Sequence, residues 1–385
     1  MLARVVGRPV ARFLQIEAAG GILLLAATVI ALLWANGPWA DSYEDLWTTV
    51  VALEGGGRGV SEDLRHWIND GLMTVFFFVV GLEIKREVVS GQLSTARAAA
   101  LPVVAAAGGM VVPALVYFAV TRGGPAADGW GIPMATDIAF AVGVLAVLGG
   151  RVPPPLKVLL LGLAITDDIG AIVVIALVYS DDIDLVALAF AAVGLVAIVA
   201  FRWARVSFAP AYVVVALTVW LAVLESGVHA TIAGVALALV TPTGPVATRL
   251  EEGLHPWTSY VIVPLFALAN GGVSLSADAL SDAASSAVTA GVVLGLVVGK
   301  LVGITAAAAV AVRFGVGRLP EGVRWVHIAG MAAVAGIGFT VSIFVTGLAF
   351  DDAALQGEAK IGVLVASVVA GVLGSAVLAR AGRRT

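Results

Sequence analysis

Residues 156–179 have the sequence LKVLLLGLAITDDIGAIVVIALVY, an apolar run interrupted near its centre by Asp167 and Asp168. About 20 mostly apolar residues are enough to cross a bilayer as a helix. A charge at mid-bilayer costs from a few to ~10 kcal/mol, so carboxylates at that depth are rare and usually functional. Two of them side by side predict a membrane protein that handles cations and protons.

The composition of the whole chain predicts that lipid, not water, surrounds it. Of its 385 residues, 60% are hydrophobic and 12% are charged, and the mean hydropathy is +1.04. Soluble domains carry roughly 25% charged residues. The absence of cysteine excludes disulfides and cysteine-based sites. The first apolar run is long, begins after Glu17 and is followed by many others, so we expect no cleaved signal peptide.

Twelve apolar runs predict twelve membrane-spanning helices in one transporter domain, residues 1–385, and hence an all-α polytopic membrane protein. No alternating barrel pattern is present. The predicted spans are residues 18–35, 66–88, 98–120, 131–149, 156–179, 185–201, 207–224, 228–240, 257–273, 288–312, 325–350 and 361–379.

The distribution of Lys and Arg predicts that both termini lie in the cytoplasm. With this orientation, Lys300 lies inside a span and most other cationic residues fall on the cytoplasmic side. The outer stretches carry only Arg58, Arg65, Arg122 and Lys360. One outer loop, residues 41–65, is long and contains a run of three glycines, which suits either a small hairpin or a plain flexible loop.

Two predicted spans contain helix-breaking sequences at the depth where a helix should be continuous. The fourth has PMATD at 133–137, and the eleventh has GIGFTVS at 336–342. Interrupted segments in matching positions of two halves indicate a transporter site. The triplets of spans at about 98–180 and 288–380 begin on opposite sides of the membrane, as an inverted repeat requires. Packing glycines are the simpler interpretation of either break alone.

Asp167 and Asp168 point about 100° apart on a helix, so they do not easily share one partner. Lys300 is the only Lys or Arg at mid-membrane depth. We therefore expect Lys300 to pair with one aspartate while the other faces a water-filled cavity. A static ion pair that only holds helices together is the alternative, but it leaves the second aspartate unexplained.

An aspartate exposed to a cavity suits Na⁺ or Li⁺, because hard cations prefer oxygen ligands. Protons compete for the same oxygens, so one site that holds either species gives exchange. Thr136 and Asp137 lie at the break of the fourth span. There Asp137 is expected to offset positive helix ends and Lys300 negative ones. Direct cation binding by Asp137 is the alternative.

Other titratable residues lie toward the ends of the predicted spans. Histidine titrates near physiological pH, so a cluster of Glu and His at a pore mouth is suited to sensing pH. A lone interfacial histidine is more often simply solvated. A resident metal site is not expected, since the four histidines are scattered. The candidates for a pH response are Glu83, Glu251, Glu252, His255 and His229.

Five segments together resemble the NhaA family of bacterial sodium/proton antiporters, and the likeness extends over nearly the whole chain. They are GLEIKRE at 81–87, ATDIAF at 135–140, DDIGAI at 167–172, GVHAT at 227–231 and LHPW at 254–257.

The resemblance implies twelve helices, with two broken ones crossing at mid-membrane, and electrogenic, pH-regulated exchange of Na⁺ or Li⁺ for protons in the bacterial plasma membrane. It implies that Asp167 and Asp168 carry transport, that Lys300 is the partner of Asp167, and that the outer hairpin supports a homodimer. Glu83, Glu251 and His255 match the cytoplasmic pH-response region. The family pattern has a histidine where Glu252 stands, which puts the pH set point in doubt.

Alternative functions leave different signatures. An intramembrane aspartyl protease also has two membrane aspartates, but its GxGD pattern is absent. A passive cation channel would conduct without proton coupling, and another carboxylate-based cation/proton transporter would differ in its ions. No GxxxxGK[ST] motif for ATP is present, and we expect neither a cofactor nor nucleic-acid binding.

Overall fold

The structure is a computed structural model that describes residues 2–55, 58–91, 93–180, 183–206 and 208–382. Gly56 and Gly57 of the long loop at 41–65, and the C-terminal residues Arg383 and Arg384, lie outside the described residues.

Almost all of the regular structure is helical. In chain order the α-helices are α1 (Leu2–Ala35), α2 (Ala40–Trp47), α3 (Leu64–His66), α4 (Met73–Ser90), α5 (Ala96–Thr121), α6 (Ile138–Leu148), α7 (Pro154–Val178), α8 (Leu185–Trp203), α9 (Ala209–Glu225), α10 (Thr231–Val240), α11 (Pro245–Trp257), α12 (Val263–Asn270), α13 (Ala277–Ser285), α14 (Ala287–Leu294), α15 (Lys300–Arg313), α16 (Trp325–Val334), α17 (Phe339–Ala349) and α18 (Ala353–Ala381).

Three wider π-helical turns, one longer 3₁₀ segment and a short 3₁₀ turn after α6 (Gly149–Arg151) complete the helical structure. The π turns join α3 to α4 (Trp67–Leu72), α11 to α12 (Thr258–Ile262) and α14 to α15 (Gly295–Gly299), and the 3₁₀ segment (Pro125–Met134) precedes α6. π turns inside helices are rare and frequently lie at functional sites.

The fold class predicted from composition is confirmed: the chain is an all-α polytopic membrane protein. In the described part of the chain, α5, α7, α8, α18 and the continuous stretch Ala287–Arg313 are each long and apolar enough to span a membrane. Three bent pairs raise this number to eight, while α9 and α10 are apolar but short. The twelve spans and the inversion of the two triplets remain predictions.

Several boundaries differ from the predicted ones. The long loop at residues 41–65, predicted to lie outside, contains an antiparallel hairpin, β1 (Val50–Gly55) paired with β2 (Arg58–Asp63), so the hairpin alternative is correct. Residues before the predicted ninth span form helix α11 and not a loop. It buries Glu251 and His255 on one face, which gives these polar residues a fixed place.

One helix-packing contact determines the position of Lys300. Gly291, Gly295, Gly299 and Gly303 recur every fourth residue, so they lie along one face of the α14–α15 stretch. That face packs against α5: a Cβ atom on Gly299 would lie 2.8 Å from the Cα atom of Pro113. Small residues at such spacing let membrane helices approach closely. Lys300, which follows the π turn, is thereby directed into the protein.

Candidate functional site

The two predicted breaks are present, and they contact each other. The 3₁₀ segment and α6 are bent by 41° across their break, and α16 and α17 by 49° across theirs. The backbone N–H of Asp137 in one break donates to the carbonyl of Ile337 in the other, at 2.6 Å. The Ser342 hydroxyl donates to the carbonyl of Ile132 at 2.7 Å. Each break therefore satisfies backbone groups that the other leaves exposed.

Asp137 lies at the start of two helices at once. Its carboxylate accepts from the backbone N–H of Phe140 at 3.0 Å, in the first turn of α6. It also accepts from the backbone N–H of Thr340 at 3.0 Å and from the Thr340 hydroxyl at 2.6 Å, at the start of α17. Helix N-termini carry about half a positive charge each, so this buried carboxylate offsets two of them.

Lys300 pairs with Asp167. Its Nζ atom lies 2.5 Å from Oδ2 of Asp167, and both side chains are fully buried. Nζ also donates to the Thr136 hydroxyl at 3.0 Å. That hydroxyl lies 2.8 Å from Oδ2 of Asp167 and 2.9 Å from the carbonyl oxygen of Ala335, and it donates to one of them. Thr136 therefore links Lys300 to the carbonyl at the C-terminal end of α16.

Asp168 has different surroundings from its neighbour. It lines a cavity of about 60 Å³, whereas Asp167 does not. This volume has room for a few water molecules. Thr136 and Asp137 of the first break and Thr340 of α17 line the same cavity, so two further segments offer oxygen atoms to it besides Asp168 of α7.

Residues of α4 and α11 also line this cavity, among them Glu83 and His255. The Nε2 atom of His255 lies 3.5 Å from Oε1 of Glu83, and both side chains are buried. Thr258 and Ser259, in the π turn after α11, also line the cavity. The cavity thus connects Asp168 with Glu83 and His255, which lie toward the side that the cation distribution predicts to be cytoplasmic.

A second contact joins α4 to α11 beside this pair. The guanidinium of Arg86 donates to Oε1 of Glu251, and it lies 3.4 Å from Oε1 of Glu87. Burial raises the pKa of Glu251 above its ordinary value, and the positive charge of Arg86 opposes the shift. This carboxyl group therefore titrates closer to neutral pH than an exposed one.

Two of the predicted pH-response residues lie apart from this cluster. Glu252 is exposed on the other face of α11. His229 precedes α10, is half-buried, and is not among the residues that line the cavity.

Sequence reasoning missed the roles of Thr340 and of the glycine face on α14–α15. Thr340 belongs to the quoted break sequence, but nothing in the sequence indicates that its hydroxyl reaches Asp137, 203 positions away. The four-residue spacing of the glycines was a usable signal, since it is typical of close helix packing.

Comparison with known proteins shows the family of the chain. A family model described as Na⁺/H⁺ antiporter 1 matches residues 11–378. This chain belongs to the Na⁺/H⁺ antiporter 1 family.

Relatives from distant bacteria cover nearly the whole chain. The Na(+)/H(+) antiporter NhaA of Pseudomonas putida is 48% identical, with 97% of each chain covered. The Na(+)/H(+) antiporter NhaA 2 of Sorangium cellulosum is 47% identical over 98% of this chain and 90% of its own. The Na(+)/H(+) antiporter NhaA 3 of Frankia alni is 45% identical over 97% of this chain and 89% of its own.

Proposed function

We propose that this membrane protein exchanges Na⁺ or Li⁺ for protons, with Asp167 and Asp168 as the residues that carry transport. The observation that supports this most strongly is the different environment of the two neighbouring carboxylates. Asp168 lines a cavity and offers oxygen to a hard cation. Asp167 contacts Lys300 in a site closed to solvent. A cation at Asp168 and protons on the same oxygens exclude each other, which couples the two fluxes.

The proposed exchange moves net charge in each cycle, with more protons entering than sodium ions leaving. A cation that binds at Asp168 displaces its proton, and a second proton is released from Asp167 or from its pair with Lys300. Membrane voltage then drives the cycle, at ~2.3 kcal/mol per charge per 100 mV. Asp137 holds the two helix starts in place beside the cation, and Thr136 joins Lys300 to the break.

The proposed regulation by pH involves the cluster where α4 meets α11. Glu83 and His255 line the cavity, and Glu251 accepts a hydrogen bond from Arg86. We assign Glu252 and His229 a secondary, electrostatic part, because Glu252 is exposed and His229 lies away from the cavity.

The family and the charge distribution support a location in the bacterial plasma membrane with both termini in the cytoplasm. We also propose a homodimer in which the β1–β2 hairpin contributes to the contact, since hairpin edges leave backbone groups available for pairing.

Transport in proteoliposomes tests the exchange. Na⁺ added to vesicles with an imposed ΔpH is expected to collapse that gradient for wild type. For Asp168→Asn the apparent Na⁺ affinity is expected to fall by about 10–100-fold, because the site loses a charged ligand. The control is Asp351→Asn, which removes an equal charge from an exposed loop. Wild-type exchange by Asp168→Asn contradicts the mechanism, and Na⁺ current without ΔpH collapse indicates a channel.

A further inference from the structure

A second, larger cavity lies away from the aspartate site, between the first turns of α5 and α7 and the loop after α15. Its volume is about 960 Å³, which is within the size range of known ligand pockets. The residues that line it come from three separate parts of the chain, namely 95–102, 154–162 and 315–320.

The walls and the rim of this cleft differ in character. The inner wall is apolar and buried, formed by Leu101, Pro102, Leu159 and Gly162. The inner wall runs along α7 from Pro154 to Gly162. These residues are eight positions apart, so the wall is about 12 Å long at helical rise. A hydrocarbon chain fits along such a wall, whereas a hydrated ion gains nothing there.

The rim is cationic. Arg97 and Arg318 face the cleft from opposite sides, and both side chains are exposed. Neither makes a hydrogen bond or an ion pair with another described residue, and none of the described lining residues is acidic. Two arginines without partners at a membrane boundary form a ready site for phosphate, which guanidinium groups bind in bidentate fashion.

We propose that this cleft binds an acidic phospholipid, with its phosphate between Arg97 and Arg318 and an acyl chain along α5 and α7. An apolar wall that ends in a cationic rim matches an amphiphile with an anionic head. Basic pockets between membrane helices on the cytoplasmic side are known to select such head groups. The rim lies on the side that the cation distribution predicts to be cytoplasmic. The proposal is independent of which ions the protein exchanges.

Lipid binding is measured by native mass spectrometry of the purified full-length protein. The probes are phosphatidylglycerol and phosphatidylcholine with identical acyl chains, together with inorganic phosphate. Wild type is expected to prefer phosphatidylglycerol. In the double variant Arg97→Gln/Arg318→Gln this affinity is expected to fall by roughly tenfold or more. The matched control, Arg249→Gln/Arg313→Gln, removes the same charge from exposed arginines outside the cleft and is expected to bind as wild type.

A second variant tests the wall of the cleft. Val158→Trp fills the space along α7 and leaves both arginines in place, and it is expected to lose the preference for phosphatidylglycerol as well. Wild-type binding by the double arginine variant, or by Val158→Trp, overturns the proposal. Competition by inorganic phosphate at the same concentration as the lipid also overturns it, since the ligand would then be a free anion.

Discussion

At the scale of single residues, Lys300 and Asp167 are each tolerable only because of the other. Both side chains are fully buried and in direct contact. Removing one partner of a buried ion pair leaves an uncompensated charge and typically costs 3–5 kcal/mol, whereas removing both charges costs much less.

We therefore expect Lys300→Ala to lower the free energy of unfolding by about 3–5 kcal/mol, and Lys300→Ala/Asp167→Asn to recover most of it. Thermal denaturation of the purified protein in detergent measures both. Lys157→Ala is the control, since Lys157 makes no ion pair within the described part of the chain. Equal stability of the single and double variants would show that the two charges are not coupled.

The sequence indicated this pair only in part. Lys300 was identifiable because no other Lys or Arg lies at mid-membrane depth. Helix geometry separates the two aspartates by about 100° but does not say which of them faces the lysine. That choice depends on the rotation of α7 against α15, which is a property of the packed protein. The family resemblance supplied it, and the structure has the same pairing.

At the scale of secondary structure, the glycine face of α14–α15 sets how closely these helices approach α5. A Cβ atom on Gly303 would clash with the carbonyl oxygen of Gly108, which belongs to a backbone that cannot move aside easily. Overpacking of this kind costs typically 1–3 kcal/mol.

Gly303→Ala is accordingly expected to destabilise the protein by about 1–3 kcal/mol and to slow exchange, because the displaced helix carries Lys300. Gly347→Ala in α17 is the matched control. A Cβ atom there meets nothing within 4 Å, so the change is expected to be neutral or slightly stabilising. Thermal denaturation and the proteoliposome assay give the two readouts. A Gly303→Ala protein as stable and active as wild type would contradict the close contact.

The two helix breaks could be predicted from the sequence, whereas the π turns could not, and the difference has a physical reason. Pro133 and the Gly336–Gly338 pair interrupt helical hydrogen bonding locally, so their effect is visible in the sequence. The π turn at Gly295–Gly299 consists of residues that also fit an α-helix, and its shape depends on contacts with α5. Helix α11 was missed because it contains three charged residues and a histidine and lies at the predicted membrane boundary.

At the scale of the whole molecule, the contact between Arg86 and Glu251 joins α4 to α11 beside the cavity that Glu83 and His255 line. Burial raises the pKa of Glu251, so the folded protein holds this proton more tightly than the unfolded chain does. The carboxyl group thus favours the folded state at low pH, and this contribution is lost as pH rises from the ordinary value toward the raised one. Above that window the ionised carboxylate binds Arg86 most strongly.

Glu251→Gln fixes the neutral form at every pH. We expect the decline in the free energy of unfolding over this window to disappear. We also expect exchange to lose the part of its pH dependence that Glu251 contributes, because the charged contact with Arg86 cannot form at any pH. Thermal denaturation and Na⁺-driven ΔpH collapse measure these effects. Each is recorded from about pH 5 to about pH 9, a range centred near physiological pH. Glu252→Gln, a neighbouring exposed carboxylate, is expected to change both only slightly. Identical profiles for Glu251→Gln and wild type would exclude the contact from regulation.

The direct hydrogen bonds between the two breaks have a mechanical consequence. Because Asp137 is bonded to Ile337 and Thr340, we expect the two broken segments to move together. We then expect a hinge for transport to lie elsewhere, and the cavity lined by α4 and α17 offers room for it. The cysteine-free chain permits a direct experiment with introduced thiols. A covalent bridge between the crossing segments should leave transport running, whereas one from α4 to α17 should arrest it.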